Sequence, residues 1–159
     1  MERLWAPWRM EYIKNKDKER SCVLCKYAKY PGPKRPFVLS HEKSVMVILN
    51  KYPYISGHLM IVPKRHVAQF EDLTPKEGED LFFAIQKTIK ILKRIMKPQG
   101  INMGLNLGRS AGAGITRHLH SHLVPRWHGD TNFMPVVGAA KVISESLEET
   151  FDRFSPSFQ

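Results

Sequence analysis

Residues 118–127 read HLHSHLVPRW, with histidine at 118, 120 and 122 and Leu119, Ser121 and Leu123 between and after them. A period of two belongs to extended chain, because successive side chains of a strand leave by opposite faces, whereas a helix would scatter these positions around its axis. His118, His120 and His122 are therefore expected on one face, roughly 7 Å apart at Cα. Leu119, Ser121 and Leu123 are expected on the other. The strand that carries them is expected to cover residues 116–126 and to close at Pro125. Neutral imidazole is a nucleophile and a metal ligand, and imidazolium is a proton donor. A hydrogen-bonded core histidine accounts for one such ring and poorly for three. Two readings stay open on spacing alone: a metal site built on H-x-H with a third ligand, and a phosphate-transfer site with one ring as nucleophile.

The neighbouring segments say what kind of domain holds this strand. SVMVILN (44–50) and GHLMIVP (57–63) read as buried strands, linked as a hairpin through KYPYISG. Thr74, Pro75 and Glu77 form an N-cap, first-turn proline and capping box. Leu81, Ile85, Ile89, Leu92 and Met96 then recur at helical spacing, and Pro98 and Gly100 end the run. INMGLNL (101–107) reads as a third strand and GRSAGAG (108–114) as a glycine-rich loop, whose backbone N–H groups suit a phosphate. KVISESLEETFDRF (141–154) reads as a second amphipathic helix. Strand pair, helix, strand pair, helix predicts an α+β fold with an antiparallel sheet.

At 159 residues the chain suits one domain. It divides into a basic, irregular lead-in (1–36), a core (37–135) and a C-terminal helix and tail (136–159). No signal peptide is read in the charged, amphipathic residues 1–12, and no run has the length of a membrane span, so a cytoplasmic protein is expected. The net charge of +10 favours anionic ligands, although a solvated, lysine-rich surface explains any single basic run equally well. The two cysteines, Cys22 and Cys25, are too few for a secreted disulfide framework. Their C-x-x-C spacing is half of a zinc site or a redox pair.

HLHSHLV resembles the signature of the histidine-triad (HIT) family. The resemblance extends to ILNKYPYISGHLMIVPKRHV, similar to that family's upstream strand pair, to NLGRSAGAG, similar to its phosphate loop, and to VPRWHGDTNFMP. It covers roughly residues 20–135, and the branch it most resembles contains diadenosine-tetraphosphate phosphorylases and related hydrolases. It implies a HIT-like antiparallel sheet with one long central helix, a homodimer, and cleavage of nucleoside 5′-phosphoryl compounds through a nucleotidyl-histidine. The catalytic set it implies is His118, His120 and His122, with His120 as nucleophile and His122 on an α-phosphate oxygen. Asn50 and His58 match positions lining the nucleoside pocket. Asn106 matches a phosphate or leaving-group contact, and Gly112 and Gly114 a loop whose amides stabilise developing charge.

Zinc-binding relatives complete a Cys22, Cys25 pair with a histidine after the second strand, here His66, and with the first triad histidine, His118. The resemblance thus implies a structural zinc and no organic cofactor. Two positions depart from the pattern: Ser121 stands where the family has an apolar residue, and Thr116 is the sole hydroxyl before the triad available to assist the leaving group. Arg109, Arg117 and Arg126 flank the site and are candidates for the distal phosphates of a dinucleoside polyphosphate. An adenosine phosphoramidate is the competing substrate. A nucleic-acid-binding module using the basic surface and Trp5, Trp8 and Trp127 is the competing class, disfavoured because no recognition motif accompanies the charge.

Overall fold

The structure, a computed structural model, describes residues 22–29, 37–130 and 143–159. Trp5, Trp8, most of the lead-in expected at 1–36, and residues 131–142 lie outside the described residues. Five strands form one sheet: β1 (Val38–His41), β2 (Val45–Leu49), β3 (Leu59–Pro63), β4 (Gly100–Leu105) and β5 (Ser121–Arg126). Their spatial order is β1-β2-β3-β5-β4 and every pairing is antiparallel. Three helices accompany them: α1 (Val23–Ala28), α2 (Pro75–Met96) and α3 (Leu147–Phe154).

β2 and β3, VMVIL and LMIVP, are buried at every position, which a strand achieves only when both sheet faces are covered. Alternation sorts their side chains. Val45, Val47, Leu49, Leu59 and Ile61, with Leu123 of β5, pack under Leu81 and Leu92 of α2 and Phe154 of α3. Met46, Ile48, Met60 and Val62 face the other way, against Leu24 of α1. The β2–β3 turn closes with the Asn50 N–H donating to the His58 carbonyl (2.9 Å). Gly57 sits in that turn at φ 78°, a conformation that strains any side chain, and a Cβ there would press on the Met96 side chain.

α2 is the helix that the caps and stripe predict. The Thr74–Glu77 capping box forms in both directions. Glu77 also receives Arg65 through two bonds (2.7 and 2.8 Å), and Asp80 accepts from Ser44 (2.8 Å), so the helix start is pinned to the end of β3 and to the β1–β2 turn. The helix stops at Met96 because Lys97, preceding Pro98, is driven out of the α region and takes φ 49°.

Four expectations change. A fifth strand, β1, precedes the expected hairpin; at four residues with two polar positions, it carries little periodic signal. The lead-in contains α1, formed where buried Leu24 docks on the sheet. The C-terminal helix begins at Leu147 rather than 141, because the Ser146–Glu149 capping box sets its start. The histidine strand begins at Ser121, not 116. The Lys64 N–H bonds to Ser44 beside β2, so alternation turns residue 63 toward β5. That residue is Pro63, which has no N–H to extend the β3–β5 ladder beyond its last pair, Ile61 with Ser121.

Candidate active site

With the ladder stopped, the chain before β5 finds other partners, and these aim the histidines. The Leu119 N–H donates to the Val67 carbonyl (2.7 Å). His118 turns its ring toward α1, and its Nε2–H donates to the Pro63 carbonyl that β5 leaves unpaired (2.8 Å). Its Nδ1 then carries a lone pair, and that lone pair faces Cys22 Sγ (3.3 Å) and Cys25 Sγ (3.5 Å). Both ring nitrogens of His118 are therefore engaged away from its triad partners. The three rings do not form the even row expected of a strand: His118 stands edge-on to His66, with centroids 5.1 Å apart, while His120 stands edge-on to His122 at 4.9 Å.

His120 donates its Nδ1–H to the His118 carbonyl (2.9 Å). That bond fixes the tautomer and leaves the lone pair on Nε2. His122 has the opposite tautomer, set by a short relay. The Tyr54 backbone N–H donates to His58 Nδ1 (3.1 Å), and a backbone amide can only donate. His58 Nδ1 is thus an acceptor and its Nε2 carries the hydrogen, which goes to His122 Nδ1 (2.9 Å). The proton of His122 must then be on Nε2. That atom is buried and has no partner among the described residues, the condition in which a polar group is expected to serve a ligand.

Burial disfavours imidazolium at both rings of this pair, and the neighbouring His120 adds to the effect at His122, whose pKa falls from 6.5 to about 4. A proton added to His122 would meet the His58 N–H head-on. The neutral ring is favoured in the folded state, so its contribution to stability is complete above pH 6.5 and is lost as pH falls toward 4. In an NMR titration of the imidazoles, His122 should hold its neutral chemical shifts well below pH 6. Titration near 6.5 would mean that this ring is open to water.

The metal-ligating cluster predicted from sequence comes together. The ligand atoms of Cys22, Cys25, His66 and His118 all lie within 4.8 Å of one another, with Cys25 Sγ 3.1 Å from His66 Nδ1. Edges of about 3.3–3.8 Å follow from tetrahedral zinc–ligand lengths. The donor set, two soft thiols and two imidazoles, suits zinc, and the Pro63 carbonyl orients His118 as an outer-shell partner does. The thiols are free rather than disulfide-bonded. Burial, and then the hydrogen bond with Cys22, push the Cys25 thiol up, a penalty that a cation between the sulfurs would reverse.

Other expected site residues fall less simply. Asn50 is engaged at both ends: its Oδ1 accepts the Tyr52 N–H (2.9 Å) and its Nδ2 lies 3.2 Å from His58 Nδ1. It shapes the turn around His58 before it meets any sugar. His58 is buried and is the relay to His122, a role that spacing did not reveal because its partner lies 64 positions away. In the glycine-rich loop, Gly112 takes φ 88° and its N–H is tied to the Arg109 carbonyl (3.0 Å), while the Ala113 N–H is tied to Gly108 (3.2 Å). Gly112 therefore shapes the loop rather than offering its amide. Gly114 and Thr116 lie half-buried on the approach to His118, and Asn106 is half-buried just after β4. Arg109 and Arg117 are exposed. Arg126, one of the candidates for the distal phosphates, bonds instead to Asp130 (Nη2–Oδ1 2.8 Å) and Asn102 (2.8 Å) here, four residues along β5 from His122. Ser121 is buried opposite Ile61, on the face away from His122, so the departure from the family pattern leaves the histidines untouched.

The HIT domain family model matches residues 34–129. The chain belongs to the HIT family. An AP-4-A phosphorylase of Mycobacterium tuberculosis is 41% identical over 157 residues, covering 94% of this chain and 80% of that one. A bis(5′-nucleosyl)-tetraphosphatase (asymmetrical) of Schizosaccharomyces pombe is 30% identical over 104 residues, covering 65% of this chain and 56% of that one. Among solved structures, a Zn-bound histidine triad family protein from Mycobacterium smegmatis superposes with a TM-score of 0.68, over 87% of this chain and 93% of that one. At 22% identity that likeness speaks for the HIT fold alone.

Proposed function

We propose that this HIT protein cleaves adenosine 5′-phosphoryl compounds, dinucleoside polyphosphates first among them, through a nucleotidyl-histidine. The observation that carries the reading is the pair of opposite, fixed tautomers 4.9 Å apart: a lone pair on His120 Nε2 beside an unpartnered N–H on His122 Nε2. In the first step the His120 lone pair attacks the α-phosphorus, an N–P bond forms, and the P–O bond to the leaving polyphosphate breaks with its electron pair. The His122 N–H donates to a non-bridging α-oxygen, where negative charge gathers. Amides of the glycine-rich loop, Gly114 among them, and the side chains of Asn106 and Thr116 serve the phosphates. In the second step an acceptor oxygen attacks the same phosphorus and returns the electron pair to His120. Cys22, Cys25, His66 and His118 hold a structural zinc, which would tie α1 to the segment entering β5. The free thiols suit a reducing cytoplasm. No described helix is long and apolar enough to cross a membrane.

The relatives named for AP-4-A phosphorylase and tetraphosphatase activities support the polyphosphate. So does charge, since a chain of net +10 attracts a tetraphosphate bridge at long range. Diadenosine tetraphosphate should exceed adenosine phosphoramidate in kcat/KM at low salt, with the margin shrinking as salt rises. Preference for the phosphoramidate at every ionic strength would reject the substrate. ADP plus ATP on adding inorganic phosphate identifies a phosphorylase; AMP plus ATP with or without it identifies a hydrolase. A homodimer fits the exposed β4 edge with Met103 and the exposed Phe82 and Phe83 of α2. Sedimentation as a monomer of 18.4 kDa would reject it.

A further inference from the structure

The loop between β2 and β3 places one aromatic side chain where none of the roles above uses it. The Tyr54 ring lies 4.6 Å from the His58 ring at 36°, and 6.1 Å from the His122 ring at 32°. It is 49% exposed. Tyr54 is also fixed in place: its N–H is bonded to His58 Nδ1, and Pro53 precedes it. One face of its ring is thus covered by histidine at a shallow tilt while much of the side chain stays open to water. A rigid aromatic surface of that kind, at the edge of a phosphate-handling site, suits a second flat ring.

We propose that Tyr54 is the platform on which the base of the transferred nucleotide stacks, making it a specificity-determining residue for the reaction. This rests on the functional reading above and adds to it the residue that selects a nucleotide over a bare sugar phosphate. The reach favours the transferred nucleotide. Its base is one sugar away from the α-phosphorus that His120 and His122 handle, whereas the second nucleoside of a tetraphosphate lies three phosphates further on. Stacking on tyrosine tolerates any base, so Tyr54 selects for the presence of a base, with modest preference among bases.

Equilibrium binding of AMP and ribose 5-phosphate, measured by calorimetry, tests this without turnover. The wild-type protein should bind AMP roughly tenfold or more tighter than ribose 5-phosphate, the scale of one base–aromatic stack. Tyr54→Ala should remove most of that margin while leaving ribose 5-phosphate binding unchanged. Tyr54→Phe and Tyr54→Trp should keep it, because the flat ring and not the hydroxyl is used. Equal losses for both ligands in Tyr54→Ala would overturn the proposal and make Tyr54 a support for His58 alone. So would an unchanged AMP affinity. If AMP binds with the expected margin but neither diadenosine tetraphosphate nor adenosine phosphoramidate is turned over, the platform stands and the catalytic reading fails.

Discussion

His120→Ala should leave a folded protein with nucleotidyl transfer reduced roughly 10⁴-fold or more, the scale seen when a covalent nucleophile is removed. The ring is 6% exposed, and among the described residues its side-chain hydrogen bond runs from Nδ1 to the His118 carbonyl. Replacing it costs about 1 kcal/mol for that hydrogen bond plus part of the side-chain burial, too little to unfold the sheet. His118, His58 and His122 keep their own partners in the variant. AMP affinity should therefore survive, and the loss should fall on kcat. A covalent adduct isolated after rapid quench should carry the nucleotide on His120; an adduct on another residue, or residual activity within tenfold of wild type, would sink the assignment. The outcome separates the two readings that spacing left open. A structural or metal-ligating His120 would show its loss in melting temperature or metal content, and neither should move by much here.

The second large effect is expected at the Cys22, Cys25, His66, His118 cluster. Purified, reduced protein should contain one zinc per chain, and a chelator or Cys22→Ser should remove it. α1 has six residues, too few to persist as an isolated helix, so its place depends on this cluster and on Leu24. If α1 undocks, Leu24 returns to water. Its burial is worth about 1.5–3 kcal/mol, and in a chain of this size each kcal/mol moves Tm by roughly 2–4 °C. A fall in Tm of roughly 3–12 °C is thus expected, with amide protection lost first around residues 22–29. Substoichiometric zinc, or an unchanged Tm after chelation, would refute a structural metal. The His118 carbonyl also orients His120, so apo-protein should lose activity beyond its loss of fold.

Local chemistry decided much of this protein before any tertiary contact was needed. The Thr74–Pro75–Glu77 start and the apolar stripe of α2 are short-range events, settled within a turn or two of chain, and were legible in sequence. The same holds for β2 and β3, whose continuous apolar runs require cover on both faces. The C-x-x-C pair and the triad likewise pointed to the four residues that gather as a candidate metal cluster, once the family likeness supplied His66 and His118. What spacing could not supply is direction. Period two places His118, His120 and His122 on one face, yet the β3–β5 ladder ends at the Ile61–Ser121 pair, before Pro63, whose missing N–H leaves the residues before Ser121 outside the strand. His118 then takes up the Pro63 carbonyl and swings to the thiols, leaving His120 and His122 edge-on to each other as the proposed catalytic pair. Their tautomers are set by a carbonyl two residues back and by an amide in the β2–β3 turn, reached through His58. Which imidazole nitrogen holds the proton depends on which donor or acceptor faces it. That is a property of the folded neighbours, and it makes two chemically identical side chains on one short segment a lone pair and an N–H.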